Sequence, residues 1–159
     1  MNLQKLNLLV KGTQKIKQLE PIRGSYYHIV LQREDVLNFP RGKSTRLICE
    51  LDGKLYFQCG LSHVGDGNFF IITSLDRLKE IDKGLGLEVD YKIYEDPNPL
   101  GVDTPEVLKV LLEQDESLAN IYNGLTDGKK RSVIFGMIKI KNIDKQVAKA
   151  IKLIESYKK

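Results

Sequence analysis

Two histidines, two cysteines, a few adjacent carboxylates and a set of clustered lysines are the residues whose types and spacing could do chemistry in this chain. His63 stands in "GLSHVGDGN", next to Ser62 and three residues before Asp66, which are the ingredients of a nucleophilic triad. A triad is defined by its geometry in space, and adjacency within one turn does not supply that geometry. Gly65-Asp66-Gly67-Asn68 already has a backbone reason to be there as a turn. His28 lies in an apolar run and reads as a packing or surface residue. Two histidines without clustered carboxylates make no zinc ligand set. Cys49 and Cys59 match no metal spacing. On the hairpin described below they are expected about 13 Å apart, too far for a disulfide, so both read as buried, reduced thiols. Glu95-Asp96 and Asp115-Glu116 adjoin linker and helix signals and read as solvated surface rather than as an acid–base pair. "GLGLE" at 84–88 lacks the Lys-Ser/Thr of a phosphate-binding loop and reads as a helix stop. No metal and no cofactor is expected.

The basic residues carry more. The whole chain is +4. Leu125 to Lys159 holds ten Lys/Arg against three Asp/Glu, or +7, and the preceding residues are −3. Lys129, Lys130 and Arg131 are consecutive, and Lys141, Lys145, Lys149 and Lys152 recur at helical spacing on one face. Such a segment suits an anionic partner, and Lys129, Lys130, Arg131, Lys145, Lys149 and Lys152 are the expected ligand-binding residues. A merely solvated helix face is the competing reading. Nucleic-acid binding would want arginines with interleaved aromatics, and Tyr157 alone does not supply them.

The elements that must position these residues fall into two groups. Thr45 to Cys59 reads as a hairpin about Asp52-Gly53, the strongest turn signal in the chain. A loop of Leu51, Asp52 and Gly53 would set Cys49 opposite Leu55 and Leu47 opposite Phe57 on one face, with Gly53 left-handed. Leu6–Leu19, with a bend or bulge at Gly12, Tyr26–Leu31, Phe69–Thr73 and Leu87–Tyr94 read as further strands. Pro21 and Gly24 punctuate the first two. Gln32–Leu37 reads as a helical turn and Leu75–Lys83 as a helix capped by Ser74. The Pro-rich stretch 96–103 reads as a linker. Beyond it, Thr104, Thr126 and Asn142 are expected caps. Leu108, Leu111 and Leu112, then Leu118, Ile121 and Tyr122, then Val133, Ile134, Met137 and Ile138, then Ile143, Val147, Ile151 and Ile154 give four apolar helix faces. The division is 1–95, a small closed or nearly closed β-barrel of about six strands; 96–103, linker; and 104–159, a helical tail. The fold class is α+β.

The order of these features resembles a prokaryotic pair of modules. The barrel part is similar to a small β-barrel domain of unknown function, through the Asp52-Gly53 hairpin and "GLEVDYKIYEDP" at 86–97. The tail resembles the bacteriocin-protection, YdeI/OmpD-associated type, through "TPEVLKVLLEQDESLANIYNGL" at 104–125 and "GKKRSVIFGMIKIK" at 128–141. Where that family carries a Gly-Asp pair this chain has Val89-Asp90. Where the family tail carries a Thr-Arg pair and a further Arg, this chain has Lys145, Gln146 and Lys149, which keep charge without the bidentate fork. The resemblance implies protection against antimicrobial peptides rather than a known reaction. The expectation is therefore a non-enzymatic stress or protection module that binds an anionic or peptide ligand. An enzyme working on the barrel surface and a nucleic-acid-binding barrel are the alternatives. No apolar run approaches the roughly 18 residues of a membrane span, and the N-terminus lacks a cleavage signal, so a cytoplasmic location is expected.

Overall fold

β-branched and aromatic runs favour pleated, half-buried strands, and they do so in a computed structural model that describes residues 5–18, 27–63 and 67–158. The expected features at Leu19, Pro21, Gly24, Tyr26, Gly65 and Asp66 lie outside the described residues. The protein is α+β, with two antiparallel sheets and six helices among the described residues. The chain divides into an N-terminal unit, Met1–Gly101, and a C-terminal unit, Val102–Lys159.

The N-terminal unit contains β1 (Leu8–Lys15), β2 (Lys17–Gln18), β3 (Tyr27–Leu31), β4 (Leu47–Leu51), β5 (Leu55–Cys59), β6 (Phe69–Thr73) and β7 (Glu88–Glu95). One sheet has the order β1-β7-β4-β5 and the other β2-β3-β6. Only Ile16 separates β1 from β2, so one extended segment serves both sheets. Gln14 strengthens that junction: its carboxamide donates to the Val30 carbonyl at 2.8 Å and accepts from the Val30 N–H at 2.7 Å, as a strand residue would. On the far side, Ser62 and Phe70 exchange two backbone hydrogen bonds, linking the chain after β5 to β6. Alternate residues of both sheets, among them Ile29, Leu31, Leu47, Cys49, Leu51, Phe57, Ile71 and Ile93, form one core that Val36, Leu78 and Ile81 complete. The β1–β7 pairing runs unbroken through Gly12, so no bulge stands there. The irregularity lies between Leu8 and Val10, and Gly12 leaves room for its partner Tyr91, whose hydroxyl would be 2.7 Å from an added Cβ.

The hairpin departs from the expected register. Leu51 pairs with Leu55, Cys49 with Phe57 and Leu47 with Cys59. The loop is Asp52, Gly53 and Lys54, and the Lys54 N–H donates to the Leu51 carbonyl at 3.0 Å. Asp52 and Gly53 both have positive φ, 52° and 66°, the type I′ pattern whose twist matches the strands. Asp52 is held there by β7: its N–H donates to the Asp90 carbonyl and its carboxylate accepts from the Asp90 N–H. The strands are offset by two, so each side chain keeps its expected face. Cys59 now lies diagonal to Cys49 rather than four residues away, and it is half-buried rather than buried. Both thiols are free. Burial raises both, Cys59 to about 12, so neither is a thiolate near neutrality.

Two short helices finish this unit. α1 is Arg33–Leu37, and α2, Leu75–Lys79, is shorter than expected, although Ser74 does cap it by accepting from the Arg77 N–H. The C-terminal unit is helical: α3 (Glu106–Gln114), α4 (Glu116–Asn123), α5 (Asp127–Ile138) and α6 (Ile143–Glu155). Thr126 and Asn142 cap α5 and α6 as expected, each side chain accepting from the N–H three residues on. The start of α3 differs: Pro105 is the cap residue and Thr104 makes no side-chain cap. Asp115 caps α4 instead of standing as an acid–base partner. Leu108, Leu118, Val133, Ile134, Met137, Ala150 and Ile154 are buried. Ile143 and Ile138, expected on buried faces, are 63% and 47% exposed. Each sits at a helix end, where the packed stripe runs out.

Candidate functional site

The six expected ligand-binding residues separate into two sets. Lys129, Lys130 and Arg131 occupy the third to fifth positions of α5, whereas Lys145, Lys149 and Lys152 run along α6 over seven residues, roughly 10 Å of helix. Lys145 and Lys152 are exposed and Lys149 is half-buried. Each of the first two lysines of α5 lies over an aromatic ring. The Lys129 ammonium is 5.3 Å from the Tyr157 ring centroid and that of Lys130 is 5.6 Å from Tyr122. Such stacking orients a long flexible cation without neutralising it.

The start of α5 has further polar content. Thr126 answers two N–H groups, accepting from Lys129 through its hydroxyl and from Lys130 through its carbonyl. The N–H groups of Asp127 and Gly128 have no intrahelical acceptor. The Tyr122 hydroxyl is buried with no hydrogen-bond partner among the described residues, and the residue is only 5% exposed. Its phenol is raised by burial first and by the Asp127 charge second. Ile121, Gly124, Leu125, Thr126, Lys129, Tyr157 and Lys158 line a cleft of about 410 Å³. Tyr122 reads from the sequence as a core residue and Tyr157 as an isolated aromatic. Their partnership with the lysines depends on α4, α5 and α6 packing together, which no local spacing encodes.

The outer face of the four-stranded sheet offers a different chemistry. Glu50 is only 7% exposed and accepts from the Tyr94 hydroxyl at 2.8 Å. Burial, and then Glu50, raise the Tyr94 phenol to about 12, and the same two causes raise Tyr56. Glu50, Asp52, Asp90, Lys11 and Lys92 line an open basin of about 570 Å³. Its acids are largely engaged: Asp52 faces Lys83 at 3.6 Å and Asp90 accepts from the Thr13 hydroxyl at 2.6 Å.

The remaining candidates have structural employment. His28 packs its ring 4.7 Å from Phe70, and His63 packs edge-on against Phe69. Ser62 pairs through its backbone, and Asp66 lies outside the described residues. Asp96 is buried, contrary to the solvated reading, and accepts from Gln58 Nε2 at 3.0 Å and from the Asn98 N–H at 2.9 Å. It ties the Pro-rich segment to β5. Among the described residues no three His, Cys, Asp or Glu side chains gather as a metal set, and no helix is long and apolar enough to cross a membrane. In comparison with known proteins, the chain matches no family model, no curated protein and no solved structure.

Proposed function

We propose that the protein is a non-enzymatic binding module for an anionic ligand, which it takes at the start of α5. The observation that carries this reading is the buried, unpartnered hydroxyl of Tyr122, whose ring the Lys130 ammonium of the cation-rich first turn of α5 overlies. Lys129, Lys130 and Arg131 oppose the local helix dipole, and a buried hydroxyl without a partner costs roughly 1–3 kcal/mol. One oxyanion, a phosphate or the carboxylate of an acidic peptide, would offset both. It would accept from Tyr122 and from the free N–H groups of the first turn, with Lys129 and Lys130 pairing its charge. Lys145, Lys149 and Lys152 extend the positive field along α6 and add long-range attraction.

The same reading takes the N-terminal unit as a closed barrel of six strands. The shared β1–β2 segment and the Ser62–Phe70 bridge support a ring in the order β1/β2, β7, β4, β5, β6, β3. A barrel followed by four helices is the order that the resemblance to the bacteriocin-protection, YdeI/OmpD-associated type implies, and a protection role fits a binding module. An enzyme of unassigned reaction is the second reading, favoured by buried Glu50 beside the Tyr94 hydroxyl at the basin.

Tyr122→Phe tests the proposal. Without anion the variant should melt at the wild-type temperature or above it, because an unpaired hydroxyl has gone. Tripolyphosphate should raise the melting temperature of wild type and have little effect on the variant. Equal stabilisation of both proteins would remove Tyr122 from the site.

A further inference from the structure

We infer that the N-terminal unit carries a second ligand site, a cleft for a small oxyanion that bears an apolar body, such as an aryl phosphate or carboxylate. The cleft measures about 650 Å³, within the range of small-molecule sites. Its charged lining is all basic: Arg33 from α1, and Arg41 and Lys43 from the loop that leads to β4. No carboxylate among the described residues lines it, and all three side chains are exposed. Like charges gathered without a counter-ion among the described residues repel one another, and a bound anion relieves that repulsion.

The loop that presents two of the cations is pinned from beneath. Thr45 is 2% exposed, and its hydroxyl accepts from the Arg41 N–H at 2.9 Å and donates to the Gly42 carbonyl at 2.8 Å. Buried Phe39 anchors the preceding turn, its carbonyl accepting from the Gly42 N–H at 3.0 Å. Gly42 has φ +55° with open space where a Cβ would stand, so glycine serves the turn and not a close contact. Preorganised cations bind at a smaller ordering cost than cations on a mobile loop. Beside Ser44 and Asn68, the rest of the lining has an apolar and aromatic part. Leu37 is 63% exposed, an unusual position for a leucine without a partner, and Phe69 and His63 stand edge-to-face with centroids 5.9 Å apart. Inorganic phosphate would use the cations alone, whereas a phosphate or carboxylate with an apolar body would use both halves.

The test is a backbone amide NMR titration of the full chain at low salt with phenyl phosphate, benzoate, inorganic phosphate and phenol. Phenyl phosphate and benzoate should give saturable shifts at Arg33, Leu37, Arg41, Lys43 and His63. Inorganic phosphate should bind there about tenfold more weakly, and Arg41→Gln with Lys43→Gln should weaken phenyl phosphate by about tenfold or more. Phenol should give no saturable shift. Leu37→Gln is a milder variant, exposed and outside the core, and should weaken phenyl phosphate but not inorganic phosphate. Absence of saturable shifts in the cleft, or equal binding by wild type and the double variant, would overturn the site. Equal affinity for phenyl phosphate and inorganic phosphate would overturn the ligand class.

Discussion

His28 sits on β3 with its ring against Phe70 and its Nδ1 buried without a partner among the described residues. Burial, and then the Lys17 charge, lower its pKa from the ordinary 6.5. The folded chain therefore refuses a proton that the unfolded chain accepts, and stability falls as the pH drops below about 6.5. His28→Gln should lose less stability than wild type between pH 7 and pH 5 in urea titrations, and parallel losses would contradict this account. Gly101 makes a second residue-scale case. Its φ is +78°, and an added Cβ would meet the Arg46 side chain, so Gly101→Ala should destabilise by about 1–3 kcal/mol. An unchanged urea midpoint would contradict that. Neither effect is legible in the sequence. His28 and Gly101 owe their roles to neighbours 42 and 55 positions away in the chain, Phe70 and Arg46. The same holds for Tyr122, whose ring the Lys130 ammonium overlies only in the folded chain.

Elements were more legible than contacts, because caps and turns are written locally. Ser74, Thr126 and Asn142 each precede a helix and cap it through a side-chain oxygen, as their residue types dictate. Phe69–Thr73 is a strand with the bounds its composition implies. The hairpin at Asp52-Gly53 was legible as a turn but not in register, because the register depends on the two hydrogen bonds between Asp52 and Asp90 in a strand far along the chain. Gln14 is the corresponding case between sheets: a polar side chain in a strand that takes the place of a missing strand neighbour. Gln14→Ala would leave the Val30 N–H and carbonyl unanswered in a half-buried position. It should cost about 1–3 kcal/mol of stability by urea unfolding, and a midpoint like that of wild type would remove Gln14 from the junction.

At the scale of the whole molecule, charge is the property that composition revealed and the fold refined. The excess of +7 from Leu125 onward pointed to the tail, and the helices then separate its cations into a cluster at the start of α5 and a line along α6. Arg33, Arg41 and Lys43 are scattered through a unit of nearly balanced charge, and the fold gathers them at one cleft that no carboxylate among the described residues lines. On the proposed function the α5 cluster binds an anion, and the α6 lysines supply only attraction. Calorimetric titration of tripolyphosphate at low salt into wild type, Lys129→Gln/Lys130→Gln and Lys145→Gln/Lys149→Gln/Lys152→Gln tests it most directly. Wild type should bind saturably, and the binding should weaken as salt rises. The α5 variant should lose about tenfold or more in affinity and the α6 variant less. Wild type that takes up no tripolyphosphate at low salt, or an α5 variant that binds as tightly as wild type, would contradict it.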